Sequence, residues 1–355
     1  MISQERVLKA LAHQEPDRTP IFEYVLNSED ITKLILGRPA SWLHWTELEK
    51  EAGWETAVRQ FAIDQIEIAF FLGHDMMYVI PNPLPTINSA HILPAETPPE
   101  EDPVAAIALK NRERREYEGG PDKRKFLIYE FIHEEFDKRG IRLSLLAPAY
   151  AHGIWTNVNL MQTMLLSPET AHEHFKLATR DTLKLVDKYL GLNVEMIGIG
   201  GDFAGNKPLI SPALYNEFIA PELKTLANQI HSGNGYAVNA SDGNLWDVID
   251  SFLIATGVDG YLEIDQHAGM DLAKLKAKYG SGITLFGNMD CGNTLSFQDL
   301  DEIRNATVKC LEDGLGNGGH IFTASNAITD SIPVKNYFAM VNAYRDFWGM
   351  RKITL

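Results

Sequence analysis

The segments YAVNASDGN (236–244), GYLEID (260–265) and ITLFGNMD (283–290) decide the fold of this chain. Each segment begins with a short run rich in apolar, β-branched or aromatic residues and ends among Asp, Asn, Glu or Gly. The residues between segments have apolar side chains at helical spacing, and glycines such as Gly257 end the helical pattern before the next run. Strand and helix therefore alternate, which is typical of a parallel sheet with crossover helices.

The same alternation extends outward over most of the chain. The eight predicted strands are Pro20–Val25, Met76–Ile80, Arg142–Ala147, Val194–Gly200, Tyr236–Ala240, Gly260–Ile264, Thr284–Gly287 and His320–Ala324. They predict an α/β fold, a (β/α)8 TIM barrel, in a single domain over residues 1–355, with functional side chains at the carboxyl ends of the strands. A doubly wound open sheet is the alternative with the same alternation.

Residues 82–140 interrupt this pattern. Prolines are frequent from Pro81 to Pro103, and a charged run follows over Lys110–Glu118. We expect an irregular insertion after the second strand, packed over one end of the barrel. The charged run favours a solvent-exposed helix face over a binding patch.

Composition argues against several function classes. The chain has 355 residues, with 32 Lys and Arg against 48 Asp and Glu, and a formal net charge of −16. Because nucleic acids and anionic membranes attract positive surfaces, we expect neither as a partner. The two cysteines, Cys291 and Cys310, are too few for a disulfide framework. No apolar run approaches the ~18–20 residues of a membrane span, and we expect a cytoplasmic protein.

Acidic side chains lie at the ends of four predicted strands. They are Glu23, Asp202, Asp242 and Glu263. A carboxylate at a buried strand end costs desolvation energy unless it is paired, and such groups concentrate in active sites. Asp202 and Asp242 stand beside glycines and also fit turn or helix-capping roles. Several carboxylates at one barrel mouth would suit acid–base or metal chemistry, which makes all four catalytic candidates.

Other strand-end residues are candidates for binding. They are Tyr150, Trp155, Asn239 and Asn326 for a substrate, and His267 and Cys291 for a metal. Tyr150 and Trp155 could line a pocket for an aromatic substrate, although an aromatic residue after a strand more often belongs to the hydrophobic core. An exposed loop residue is the alternative for His267, and a small buried apolar residue is the alternative for Cys291.

Motifs along the chain resemble the uroporphyrinogen decarboxylase superfamily. The similar stretches are Glu5–Pro20, Gly201-Asp202 with Ser211–Tyr215, Ser241–Asn244, Ala268–Leu272, Gly287–Asp290 and Ser325–Ile328. This resemblance implies a TIM barrel with its site at the carboxyl-terminal mouth, and it makes a homodimer plausible.

One branch of the superfamily decarboxylates porphyrinogens. The resemblance implies an arginine-rich loop after the first strand and an aspartate after the second strand in that branch. This chain has no arginine between Arg18 and Arg38, and Tyr78-Val79-Ile80-Pro81 stands where the aspartate is expected. A mouth rich in carboxylates would also repel a substrate that carries many carboxylates. Authentic uroporphyrinogen decarboxylation is therefore disfavoured.

A second branch comprises corrinoid-dependent methyltransferases. Its members that act on thiols bind zinc through a His-x-Cys pair and a later Cys, and the matching positions here are Ala240, Asp242 and Asn326. That thiolate site is therefore not intact. An alternative zinc set is Asp242, Glu263, His267 and Cys291, because zinc also accepts oxygen and nitrogen ligands.

The resemblance favours the methyltransferase branch. The expected activity is demethylation of a small methylated compound, of the aryl methyl ether type, with transfer of the methyl group to a corrinoid carried by a partner protein. A carboxylic acid or a bound metal would assist the leaving oxygen. A carboxy-lyase acting on a small acid is the first alternative. A non-catalytic barrel that binds a tetrapyrrole or corrinoid is the second.

Overall fold

A curled parallel sheet forms the centre of the computed structural model, which describes residues 1–86 and 102–354. Seven strands follow one another in chain order from β2 to β8. The strands are β1 Leu26–Asn27, β2 Met76–Tyr78, β3 Ser144–Pro148, β4 Met196–Gly200, β5 Tyr236–Ala240, β6 Gly260–Leu262, β7 Thr284–Phe286, β8 His320–Ile321 and β9 Ile328–Thr329. β1 and β9 pair with each other in a separate two-stranded sheet.

The segment that begins at Pro20 closes the ring between β8 and β2. Ile21 forms a parallel bridge with Phe322, and the Phe322 amide donates to the Pro20 carbonyl at 2.8 Å. On the other side, the Asp75 amide donates to the Ile21 carbonyl, also at 2.8 Å. The prediction of a TIM barrel is confirmed, with this bridged segment in the place of the first strand.

Side chains alternate between the inside and the outside of the ring, as they do along any β-strand. One buried cluster fills the interior, where the rings of Phe22 and Phe286 meet edge to face at a centroid distance of 6.1 Å. The neighbouring residues Ile21 and Leu285 belong to the second cluster, which packs the sheet against the helices. The direction of each strand residue therefore decides whether it can reach the barrel mouth.

Helices surround the sheet. They are α1 Ser3–Leu11, α2 Glu29–Leu36, α3 Trp45–Ala52, α4 Trp54–Leu72, α5 Pro103–Glu116, α6 Leu127–Arg139, α7 Val158–Leu166, α8 Pro168–Leu190, α9 Pro212–Leu214, α10 Ala220–Ser232, α11 Leu272–Tyr279, α12 Thr294–Phe297, α13 Leu300–Gly314 and α14 Val334–Phe347. Side-chain caps begin several of them; the Ser28 hydroxyl, for example, accepts from the Ile31 amide at the start of α2. Within the described residues, no helix is both long and apolar enough to cross a membrane.

The expectation of an irregular insertion over residues 82–140 is wrong for residues 103–139. This part contains α5, a 3₁₀ turn at Lys123–Phe126, and α6, which packs on α4 between β2 and β3. The charged run leaves α5 with little amphipathic pattern, so periodicity does not reveal this helix. Asp102 and Pro103 nevertheless form a regular start, since the Asp102 carboxylate accepts from the Val104 amide at 2.9 Å. The part of the expectation that concerns residues 87–101 lies outside the described residues.

Candidate active site

Two backbone contacts bring the loops after β3, β4 and β5 together at the mouth. A Cβ on Gly201 would lie 2.9 Å from the Gly153 nitrogen, and a Cβ on Gly243 would lie 2.5 Å from the Gly205 carbonyl oxygen. Both Gly201 and Gly243 have positive φ, of 123° and 87°. Glycine is needed at both places because any side chain would collide with backbone. These contacts bring the loops that carry Asp202 and Asp242 side by side.

Asp202, Asp242 and Glu263 form the carboxyl cluster. The Asp242 amide donates to the Asp202 Oδ1 at 3.2 Å, and the Asn326 amide group donates to the Asp242 Oδ2 at 2.7 Å. Glu263, directly after β6, is buried and has a φ of 70°. That left-handed conformation is unfavourable for a residue with a side chain, and such strain concentrates at functional sites.

Burial and mutual repulsion keep protons on this cluster. Burial raises the pKa of Glu263 to about 9, and the nearby charges of Asp242 and Asp202 add to the effect. Burial also raises the pKa of Asp242 to about 7, again with a contribution from Asp202, while the hydrogen bond from Asn326 opposes the shift. At neutral pH the cluster therefore contains carboxylic acids able to donate a proton.

Three tyrosines lie beside the carboxyl cluster. The rings of Tyr24 and Tyr78 are 4.4 Å apart, and Tyr150 is their neighbour. The Tyr150 hydroxyl is buried and makes no well-aligned hydrogen bond, although the hydroxyls of Tyr24 and Tyr78 lie beside it, and its ring occupies the space that a side chain on Gly198 would need. Burial raises the pKa of Tyr150 well above its ordinary value, and the neighbouring Tyr78 and Glu263 add to the shift, so its phenol stays protonated. A polar atom without a well-aligned partner at a barrel mouth is a candidate contact for a substrate.

Sequence reasoning identified Tyr150 but missed Tyr24 and Tyr78 as site residues. The alternation of side chains along a strand would have identified them. Phe22 and Met76 point into the barrel, so Tyr24 and Tyr78, two positions later, point the same way. Tyr78 was noted only because it replaces an expected aspartate. The predicted aromatic wall therefore has three tyrosines rather than one.

Two other predicted binding residues lie at the mouth in different roles. Trp155 is 49% exposed, and its ring comes within 3.3 Å of where a Cβ on Gly205 would be, so it lies at the rim. Asn326 is hydrogen-bonded to Asp242 and to the amide of Ala327. Asn326 thus orients a carboxyl group of the cluster.

Glu23 and Asn239 do not belong to the mouth. Phe22 and Tyr24 point inward, so Glu23 between them points outward, toward Thr323 and Tyr337. Asn239 lies between the inward-facing Val238 and Ala240, and its amide donates at 3.0 Å to the carbonyl of Phe252 in the helical layer. The prediction that these two residues face the active site is wrong, because strand alternation turns them outward.

The proposed zinc ligands are not brought together. His267 is exposed, and the Cys291 thiol lies 3.6 Å from the Ser325 hydroxyl rather than against Asp242 or Glu263. Over residues 1–86 and 102–354, no group of three or more His, Cys, Asp and Glu side chains is placed to hold a metal ion. This arrangement does not fit zinc at the predicted set, and the chemistry below is derived from the protein's own acids.

A family model described as uroporphyrinogen decarboxylase (URO-D) matches residues 150–347, more than half of the chain. The chain belongs to the URO-D family. The matched residues include the loops after β4, β5 and β6 that supply the carboxyl cluster, while Tyr24 and Tyr78 come from the part of the chain before the match.

Individual relatives of this URO-D family member are distant. A Coxiella burnetii protein described as uroporphyrinogen decarboxylase is 22% identical over 376 residues, which cover 98% of this chain and 96% of that protein. One from Geotalea daltonii with the same description is 24% identical over 187 residues, covering 53% of this chain and 51% of that protein. A solved structure described as a methyltransferase from Methanosarcina mazei has a TM-score of 0.69 at 16% identity, and covers 98% of this chain and 99% of that chain. This structural likeness shows the fold.

Proposed function

We propose that this URO-D family member is a methyltransferase that removes a methyl group from a small O-methylated compound and passes it to a corrinoid carried by a partner protein. The observation that carries the proposal is the cluster of Asp202, Asp242 and Glu263, which retains protons at neutral pH beside a wall of tyrosines. The Methanosarcina mazei protein of the same fold is itself described as a methyltransferase.

The chemistry of an ether explains why such a cluster is useful. When the methyl–oxygen bond breaks, the methyl carbon is transferred to a cobalt(I) corrinoid, and the oxygen keeps the bonding electron pair. An alkoxide or phenoxide leaves poorly, so the oxygen needs a proton as the bond breaks. Glu263 holds its proton most firmly, and Asp242 is the neighbour whose charge helps to keep it there. We assign Glu263 as the acid and Asp242 as the residue that sets its pKa.

The surrounding side chains suit an aromatic ether. Tyr24, Tyr78 and Tyr150 offer ring faces, and the Tyr150 hydroxyl offers a donor for a substrate oxygen. Trp155 at the rim is half exposed, and we assign it to the surface that a partner protein carrying the methyl acceptor would contact. The tyrosines would thus orient the aromatic ring, and Glu263 would protonate the leaving oxygen.

The test is methylation of cob(I)alamin by the purified protein with a panel of methoxylated aromatic compounds, methylated amines and methyl thiols. We expect methylcobalamin only with the right methoxylated donor, and a loss of about 10²–10⁴-fold in Glu263→Gln if the residue is the general acid. Glu55→Gln, which changes an exposed glutamate on α4, is the matched control and should keep full activity. Failure of every donor at high enzyme concentration would refute the proposal.

A carboxy-lyase is the alternative, favoured by the described activity of the Coxiella burnetii and Geotalea daltonii relatives. The same protonated cluster could deliver a proton to the carbon from which CO₂ leaves. Release of CO₂ from a small carboxylic acid, lost in Glu263→Gln, would support this reading. A barrel that only binds a tetrapyrrole or corrinoid would instead keep its affinity in Asp202→Asn, Asp242→Asn and Glu263→Gln and show no turnover.

A further inference from the structure

A cavity of about 140 Å³ lies on the outer side of the barrel, between the first strand segment and α4. Within residues 1–86, the Pro20–Asn27 segment and β2 form no strand ladder, and residues of both line this cavity. The Tyr24–Tyr78 pair contributes to its wall, and Asn27 and Ile80 at its edge are exposed to solvent. The cavity is therefore accessible from outside at this edge, and it adjoins the carboxyl cluster across the Tyr24–Tyr78 pair.

Polar atoms without well-aligned partners are concentrated in this cavity. The Nε2 of His74 and the Oε1 of Gln65 are buried and make no hydrogen bond. The two carboxyl oxygens of Glu23 are also buried and make no well-aligned hydrogen bond, although the hydroxyls of Tyr337 and Thr323 and the amide of Ala324 lie beside them. Glu23 is 7% exposed and His74 is 8% exposed. Such groups are rarely left unpaired, because a polar atom that is buried without a partner loses its hydrogen bonds to water and gains none in return. Several of them around one cavity point to a ligand.

We propose that this cavity is a second binding site, next to the active site and sharing the Tyr24–Tyr78 pair with it, for a small alkylammonium ion. All four of these atoms can accept hydrogen bonds, and a protonated amine offers donors and no acceptor. The remaining lining includes the rings of Trp42 and Phe61, 5.2 Å apart, which suit the alkyl part and attract a cation. An apolar cavity of about 150 Å³ accepts benzene, so a chain of four carbons with an ammonium group is of suitable size.

The charges around the cavity are compatible with a cation. Glu23 makes no ion pair within the described residues. The positive group that acts on His74 is Arg18, which forms an ion pair with Asp75 at 2.6 Å. Burial lowers the pKa of His74 to about 3, so its ring is neutral and can accept a hydrogen bond. Tyr337, from α14, is the other titratable side chain beside Glu23, and burial keeps its phenol protonated.

Binding should release a proton. Burial raises the pKa of Glu23 to about 8, so the empty site holds a carboxylic acid at neutral pH, and an ammonium ion would favour the carboxylate. The experiment is isothermal titration calorimetry of the full chain with butylammonium, butanol and butyrate. Each titration is repeated in two buffers of different ionisation enthalpy. We expect butylammonium to bind with release of up to one proton, butanol to bind at least tenfold more weakly, and butyrate not to bind.

Variants locate the binding. Glu23→Gln keeps the shape and removes the charge, and should weaken butylammonium binding by about 10–100-fold. Ala69→Leu, which adds volume to the α4 wall of the cavity, should abolish binding even where Glu23→Gln proves unstable. Asp242→Asn, at the mouth, and the exposed Glu55→Gln should bind as the unmodified chain does.

Three results would overturn the proposal: no binding of butylammonium, equal binding of butanol, or binding that Asp242→Asn removes and Ala69→Leu retains. The last would assign the ligand to the mouth. The methyltransferase proposal is tested separately, by methylcobalamin formation, and the result of these titrations does not affect it.

Discussion

At the scale of single residues, the pKa shifts of the carboxyl cluster determine how activity should depend on pH. The acid must be protonated to act, so activity is lost as pH rises through the raised pKa values, about 7 for Asp242 and about 9 for Glu263. We expect kcat/KM with an uncharged ether to fall between about pH 7 and 9, as one coupled titration. A pH–rate profile that is flat across this range would show that no carboxylic acid of the cluster acts in the reaction.

Asn326 provides a sharper test at the same scale. Its amide stabilises the ionised form of Asp242 and so lowers the pKa of that carboxyl group. In Asn326→Ala we expect the alkaline limb of the pH–rate profile to move to higher pH, together with a lower maximal rate. A residue with only a structural role would lower the rate and leave the limb in place.

At the scale of structural elements, the close contact of the loops after β4 and β5 positions the cluster. A Cβ at Gly243 would meet the Gly205 carbonyl oxygen at 2.5 Å, whereas a Cβ at Gly53 would have no neighbour within 4 Å. Both glycines have positive φ, 87° and 84°, so a side chain strains the backbone at either position, and only the one at Gly243 also meets a neighbouring atom. Gly53→Ala should cost about 1–3 kcal/mol of unfolding free energy, because a φ of 84° with a ψ of 155° is essentially restricted to glycine.

Gly243→Ala should cost more, by the ~1–3 kcal/mol that overpacking entails, and should also lower kcat because Asp242 shifts. Chemical denaturation together with the cobalamin assay measures both effects. Equal stability losses in the two variants would mean that the loops can separate without strain.

At the scale of the whole molecule, a buried ion network connects α1, the first strand segment and β2. Asp75 is fully buried and lies 2.6 Å from both the Arg6 and the Arg18 guanidinium, and it accepts from the Ile21 amide at 3.1 Å. Removing one partner of a buried ion pair leaves uncompensated charge, so Asp75→Ala should lower the unfolding free energy by about 3–5 kcal/mol. The exposed pair of Asp301 and Arg304 is the control, and Asp301→Ala should cost at most about 1 kcal/mol.

Stability of the whole chain should also depend on pH. Glu23, Asp242 and Glu263 bind protons more tightly in the folded chain than in the unfolded chain, where carboxyl groups titrate near pH 4. The folded state therefore holds more protons between about pH 5 and 8, and stability decreases as pH rises through this window. Glu23→Gln should flatten the decrease, while Glu55→Gln should leave it unchanged. Urea denaturation at several pH values measures the slope.

Local sequence patterns were sufficient for the frame of the molecule and for part of the site. Alternation of apolar runs and helical spacing predicts the barrel, and strand ends locate Asp202, Asp242 and Glu263 at its mouth. Strict alternation would also have turned Glu23 and Asn239 outward, since Phe22, Val238 and Ala240 face the interior. Alternation alone would misplace Glu263, which follows the inward-facing Leu262 and reaches the cluster only because its φ of 70° departs from strand geometry.

The sequence by itself determined the parallel (β/α)8 barrel and the residues available at its carboxyl-terminal mouth, because both depend on local periodicity. Only the tertiary structure decided which of those residues meet. Gly243 contacts Gly205, and Asn326 donates a hydrogen bond to Asp242, although the partners are far apart in the chain. Glu23, in contrast, lies away from the cluster. Raised pKa values depend on burial and on nearby charges, and both are properties of the folded chain.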